Sequence, residues 1–233
     1  MTEPGMFESH RGSDTPFSDE MEEQMKVMTN INVVVADESH IRYADEICEE
    51  ILISARERGT GIARRTPEYI SEKMMAGKAI IAISEDGRFA GFSYIETWGG
   101  KEYVANSGLI VAHAFRGIGL AMRIKRKIFE HSRTLFPNAK IFSITTGAAV
   151  MKMNYELGFR PVTFAALTDD PEFWKGCQGC RNYGILESNE HRMCLCTGLL
   201  YDPAEHIEIS SPAHPEFTNL KDGEQRNQNE NKQ

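Results

Sequence analysis

Apolar residues recur through the middle of the chain with two periods, and each change of period marks an element. INVVVAD (31–37) is a β-branched run and reads as a strand. From Ile41, the positions Ile41, Ala44, Ile47, Cys48, Ile51 and Ala55 fall on one face of a helix. Thr66-Pro67 supplies a cap and a proline suited to a first helical turn, and that helix is expected to end near Gly77. AIIAIS (79–84), the turn Glu85-Asp86-Gly87-Arg88 and FAGFSYIETW (89–98) predict a hairpin. Gly99-Gly100 then turns the chain into YVANSGLIVA (103–112). The helix after Gly119 carries Leu120, Ile124, Ile128 and Leu135 on its core side, with Lys125, Arg126 and Lys127 expected as a solvated face. KIFSITT (140–146) reads as a strand, AAVMKMNYELGF (148–159) as a helix and PVTFAAL (161–167) as another strand. The order β-α-α-β-β-β-α-β-α-β, without an internal repeat, predicts a mixed α/β sheet protein.

The ends of the chain lack either period. Residues 1–30 are polar and acidic, and 204–233 close on GEQRNQNENKQ, so both are expected to be disordered. With 233 residues, 41% of them hydrophobic, the chain can bury a sizeable core. A formal net charge of -8 argues against general affinity for nucleic acid or an anionic membrane. No apolar run approaches the roughly 18 residues of a membrane span, and the first residues lack a signal peptide's order, so a cytoplasmic protein is expected. Its five cysteines are then expected as thiols or metal ligands.

Chemistry enters at AFRGIGLAMRIKRK (114–127), where a strand, a glycine pair and a basic helix follow one another. The first turn of a helix has N–H groups without partners, and its dipole favours a negative group there. Glycine and alanine allow a phosphate close to those groups. A nucleotide-binding P-loop would need Gly-Lys-Ser/Thr, which is absent. A dinucleotide fingerprint would need a third glycine where Met122 stands.

The spacing Arg116-x-x-Gly119-x-Ala121 is similar to the acyl-CoA motif of the GNAT superfamily of N-acetyltransferases, Gln/Arg-x-x-Gly-x-Gly/Ala. Tyr155-Glu156-Leu157-Gly158-Phe159 resembles a shortened form of that family's Tyr-Glu-x-x-Gly-Phe segment. The likeness spans residues 31–167, which would be the acyltransferase domain, with 168–203 a Cys-rich extension packed on it. It implies a mostly antiparallel central sheet flanked by helices. It also implies that the backbone of Arg116, Gly117, Ile118, Gly119, Leu120 and Ala121 holds the CoA pyrophosphate, with Arg116 and Arg123 as candidate side-chain contacts. Leu109, Ile110 and Val111 would pair with the pantetheine arm like an added strand.

Acyl transfer from a thioester to an amine needs a neutral amine, a polarised carbonyl and a proton for the thiolate. By the resemblance, Tyr155 is the candidate proton donor, or alternatively an aromatic closing the core beside Phe159. Many relatives place a glutamate four residues before the equivalent of Val111, where this chain has Ser107. Glu96, Glu102 and His113 remain as candidate bases. Ala148 replaces an asparagine that many relatives use to contact the pantetheine. In the acceptor loop GTGIARRTPEY (59–69), Arg64 or Arg65 is a candidate for holding a carboxylate, or the two are a surface pair beside a cap. The Cys-rich part is similar to a bacterial subgroup linked to arginine biosynthesis, which makes glutamate the acceptor to expect. The implied activity is acetyl-CoA-dependent transfer to a small amine, with a homodimer as candidate assembly; an inactive CoA-binding or regulatory module is the alternative.

Cys177-x2-Cys180 and Cys194-x-Cys196 are spaced for a structural zinc held by four thiolates, the second pair on one face of a strand. His191 is a substitute ligand. Packing of buried thiols, or a redox pair, are the other readings.

Overall fold

A computed structural model describes residues 30–59 and 65–206 of the chain. Seven strands form one sheet: β1 (Ile31–Val35), β2 (Ala79–Ser84), β3 (Phe89–Trp98), β4 (Tyr103–Val111), β5 (Lys140–Thr145), β6 (Arg160–Val162) and β7 (Thr197–Tyr201). Their spatial order is β1-β2-β3-β4-β5-β7-β6. Every neighbouring pair is antiparallel except β4 and β5. The residues expected to form disordered ends lie outside the described residues, apart from Asn30 and the short stretch from Ala204 to His206.

Two helices precede β2. α1 (Ala44–Arg58) turns Ala44, Ile47, Cys48 and Ile51 inward, and Gly59 closes it at φ 61° in the left-handed region. α2 (Pro67–Met75) starts at the predicted cap, where the Thr66 side chain accepts from Tyr69 N–H, and buries Ile70 and Met74. α3 (Leu120–Leu135) follows the glycine turn. Alternation along β3 separates the two layers. Gly91 faces α3, where an added Cβ would lie 2.5 Å from Ile124 Cδ1. Tyr94 and Glu96 face the other way, onto Tyr69 of α2. Burying a large apolar side chain between such layers stabilises by roughly 1.5–3 kcal/mol, and Phe89, Phe92, Phe115 and Ile128 are all near complete burial.

Three details depart from the periodic reading. Leu135, expected on the core side of α3, is 43% exposed, while Phe136 just after it packs against the main core. Lys125, expected in solvent, is only 2% exposed. The strand expected over 161–167 is shorter: β6 ends at Val162, and Phe164–Ala166 is a 3₁₀ turn that drives Phe164 into a second, smaller core.

That smaller core joins Ala105, Phe142, Phe164, Leu167, Trp174 and Leu186. α4 (Ala148–Glu156) sets Met151 against the larger core, while two short helices, α5 (Pro171–Lys175) and α6 (Tyr183–Ser188), cover the smaller one before the chain enters β7. β7 lies inside the sheet, paired with β5 over Ile141–Thr145 on one edge and with β6 on the other.

Candidate active site

β4 and β5 share only three register pairs, Tyr103 with Lys140, Val104 with Ile141 and Ala105 with Phe142. Beyond them the strands part, since β5 stays with β7 while β4 follows β3 to Val111. The fork opens a cleft of about 320 Å³ lined along β4 by Asn106 to Ile110 and along β5 by Phe142 to Thr145. A bulge shapes its β4 wall. The register against β3 shifts between Phe92 and Tyr94, and Gly108 sits there at φ 65°. Glycine is required twice over, because a Cβ would also stand 2.3 Å from the Tyr94 ring. A second cavity of about 430 Å³ lies beside Trp174, Tyr183 and His191, away from the fork and from any open strand edge.

β4 runs from the fork through Leu109, Ile110 and Val111 towards the glycine turn. Gly117 and Gly119 take φ 85° and 78°, and a Cβ at either would meet open space, so the turn is shaped by backbone and is open. Gly119 caps α3 without any side-chain hydrogen bond, which leaves the first N–H groups of the helix uncapped. The two predicted phosphate arginines are committed elsewhere. Arg116 donates to Val111 O at 3.1 Å, to Glu57 Oε2 at 2.9 Å and to Ser54 Oγ at 3.0 Å, tying the end of β4 to α1. Arg123 donates to Ile31 O at 2.6 Å and holds β1.

On the acceptor side, Arg64 lies outside the described residues. Arg65 lines the cleft. Its Nε donates to the Tyr94 hydroxyl at 2.5 Å, and its guanidinium lies 5.3 Å from the Tyr69 ring and 5.7 Å from the Tyr94 ring. Burial raises the Tyr94 phenol above its usual range, against the opposing pull of Arg65. Behind this pair, Tyr69 donates to Glu96, and Lys73 Nζ stands 3.6 Å from the same carboxylate. Burial raises Glu96 and lowers Lys73. Of the other candidate bases, Glu102 and His113 are exposed.

Tyr155 does not reach the cleft. It is 62% exposed on α4, with the Arg160 guanidinium 4.9 Å from its ring. The residue before it, Asn154, is the one turned fully inward. A ring exposed in that position does not close the core, and it is not among the residues that line the cleft. Ala148 is exposed in the first turn of α4, and Ser107 lines the cleft at the bulge.

The cysteine pairs lie close to one another. Among the described residues no group of three or more His, Cys, Asp or Glu side chains is arranged to hold a metal ion. Cys194 and Cys196 precede β7, so they are not on a strand as expected. Cys177, Cys194 and Cys196 pack against the smaller core, and Cys180 and Cys196 also line the cleft. Burial pushes the Cys177 thiol up to about 11, helped by Cys180 and Cys194, and the Cys196 thiol up to about 12, helped first by Cys194.

Tyr94, Gly108 and the Tyr69–Glu96–Lys73 group were not singled out as a set by the sequence. The glycine in the middle of YVANSGLIVA was the available signal, since glycine inside a strand marks a bulge or a close approach.

No protein-family model matches the chain, and neither does a curated protein sequence. Solved structures do match. N-acetylglutamate synthase from Neisseria gonorrhoeae, solved with coenzyme A and N-acetyl-glutamate, aligns at TM-score 0.52 and 16% identity over 74% of this chain. The chain spans only 35% of that enzyme's length. The Rv2747 protein of Mycobacterium tuberculosis, in complex with CoA and NLQ, aligns at TM-score 0.52 and 15% identity, covering 73% of this chain and 98% of that one. A putative acetyltransferase of Salmonella typhimurium, solved with acetyl-CoA, aligns at TM-score 0.50 and 16% identity, covering 75% and 94%. At these identities the likeness concerns architecture: the chain has the GNAT N-acetyltransferase fold.

Proposed function

We propose that the protein transfers an acyl group from a CoA thioester to the primary amine of a small acceptor that carries a carboxylate. The observation that carries this reading is the continuity of the fork with the glycine turn. An unpaired strand edge leads from the cleft straight to an uncapped helix N-terminus. A CoA pyrophosphate suits the N–H groups from Gly117 to Ala121, and an amide-bearing pantetheine suits the edge that β5 leaves along Leu109–Val111, where Val111 O already accepts from Arg116. The thioester then lies at the fork. That three aligned structures were solved with CoA or acetyl-CoA supports the same ligand class.

In the reaction the acceptor nitrogen attacks the thioester carbonyl, the C–S bond breaks, the nitrogen loses a proton and the thiolate gains one. Tyr94 is the phenol lining the cleft, and burial keeps it protonated, so it takes the donor role expected of Tyr155. Arg65 supplies a guanidinium held by two rings, a fixed fork that suits a carboxylate. An α-amino acid brings amine and carboxylate at the required short separation, and glutamate remains the first acceptor to try.

Thiol release from acetyl-CoA across a panel of amines tests the reading. Amino acids are expected to be turned over and amines without a carboxylate to be poor acceptors. Arg65→Leu is expected to raise the acceptor KM by roughly 10–100-fold, the range of one or two charge-assisted hydrogen bonds. A protein stabilised by acetyl-CoA that releases no thiol with any amine is a CoA-binding module and not an enzyme.

A further inference from the structure

Lys125 has no part in the chemistry above, yet it is held in the protein's interior. On α3 it is 2% exposed, with Nζ 3.4 Å from Asn106 Oδ1 and 5.0 Å from the centre of the Phe159 ring. Asn106 is gripped from its other end too. Its Nδ2 donates to Ser132 Oγ at 2.8 Å, and Ser132 Oγ donates to Ile128 O at 2.7 Å. Lys125 and Ser132 lie about two helical turns apart and so share a face. One asparagine is therefore clamped between two points of one helix.

The place of that asparagine gives the clamp its meaning. Asn106 directly follows Ala105, the last residue of β4 in register with β5. At the fork the strand loses one of its two ladder neighbours, and Asn106 lines the cleft that opens there. An amine is an expensive way to fill a core, since a methionine would occupy similar volume without desolvating a charge.

We infer that Lys125 is a positioning residue for acyl transfer: through Asn106 it fixes the direction in which β4 leaves β5, and with it the alignment of thioester and acceptor. The inference rests on the acyltransferase reading. Burial alone brings the amine from 10.5 to about 7, and no charged group on β3, on β4 or around Phe159 contributes. Protonated, Lys125 makes a charge-assisted bond to Asn106 and a cation–π contact; deprotonated, it makes an ordinary, weaker bond. The clamp is tighter on the acid side of that titration.

Kinetics of the wild type and Lys125→Met with one amino-acid acceptor, followed from about pH 6 to about pH 9, test this. The variant is expected to melt at or above the wild-type temperature and to keep its acetyl-CoA KM within about twofold, while kcat falls about tenfold at the acid end and less at the alkaline end. The ratio of the two kcat values then inflects near 7. Ser132→Ala loosens the other grip without removing a titrating group, so it lowers kcat a few-fold and leaves the profile's shape unchanged. A K125M protein with the wild-type kcat and profile overturns the inference, and so does a loss equal at every pH, which would mark a packing role only. If K125M does not fold, an unchanged kcat in S132A overturns it. A wild type inactive with every amine refutes this inference together with the acyltransferase reading; an active wild type beside an unaltered K125M refutes this inference alone.

Discussion

The glycine turn before α3 and the Tyr-Glu-Leu-Gly-Phe segment at the end of α4 have signatures of similar length, yet the first follows directly on the strand that lines the cleft, while Tyr155 of the second is exposed. In the turn the groups proposed to bind are backbone N–H groups, and their direction follows from the φ angles of Gly117 and Gly119. In the second segment the working group would be one side chain, whose direction depends on which face of α4 packs inward. Consecutive helical residues differ by about 100°, and here Asn154 takes the buried direction and Tyr155 the exposed one. The phenol in the cleft arrives on β3 instead, as Tyr94. The direction of backbone groups can thus be read from a short motif, whereas the direction of a side chain also needs the packing that aims it.

The sharpest way to break this comparison is at the backbone. Gly119→Val places a β-branched residue at φ 78° and a bulky group over the helix entrance. Strain of roughly 1–2 kcal/mol is expected, and the protein still folds because the added carbon meets open space. Stabilisation by acetyl-CoA in a thermal melt should vanish, and turnover with it. A retained shift would remove the turn from the site.

The two tyrosines sharpen it further. Tyr94→Phe keeps the ring that packs on Gly108 and removes only the hydroxyl, so kcat should fall by about 10²-fold or more. Acetyl-CoA binding, measured by calorimetry, should hold. A smaller change follows from the buried amine on α3. Its folded titration lies below that of the unfolded chain, so between about 7 and 10.5 the unfolded state binds more protons and stability rises with pH. The wild type should gain up to about 1.4 kcal/mol per pH unit over that window relative to Lys125→Met, as read from urea unfolding; equal slopes would show that Lys125 is not buried in solution. The smallest effect is expected at Tyr155→Phe, where kcat should stay within about twofold of the wild type. A large loss there would restore the helix as the source of the acid.

Much of the fold was legible because periodicity reports which face of an element is buried. The cap at Thr66-Pro67, the hairpin at Gly87 and the glycine turn all stand where local chemistry predicts them. The fork was not legible. YVANSGLIVA reads as one uninterrupted strand, and only the pairing with Phe142 reveals that β4 parts from β5 after Ala105. Lys125 sits in an Ile-Lys-Arg-Lys run that looks like a solvated face, but α3 is covered over a wide arc, and Lys125 lies beside Ile124 within it. The cysteine spacing says nothing of what surrounds the thiols: Cys177, Cys194 and Cys196 pack on a small aromatic core that depends on Trp174 and Phe142 from distant positions.

The location of β7 bears on how the chain is made. Among the described residues it is the last strand to leave the ribosome, yet it fills a gap between two strands synthesised earlier, β5 and β6. Until Tyr201 emerges, both of those strands present open edges, the kind of surface that captures other chains. Nascent protein is therefore most exposed to misassembly during the interval in which residues 163–201 are being added, and a premature stop before Thr197 would leave that exposure permanent.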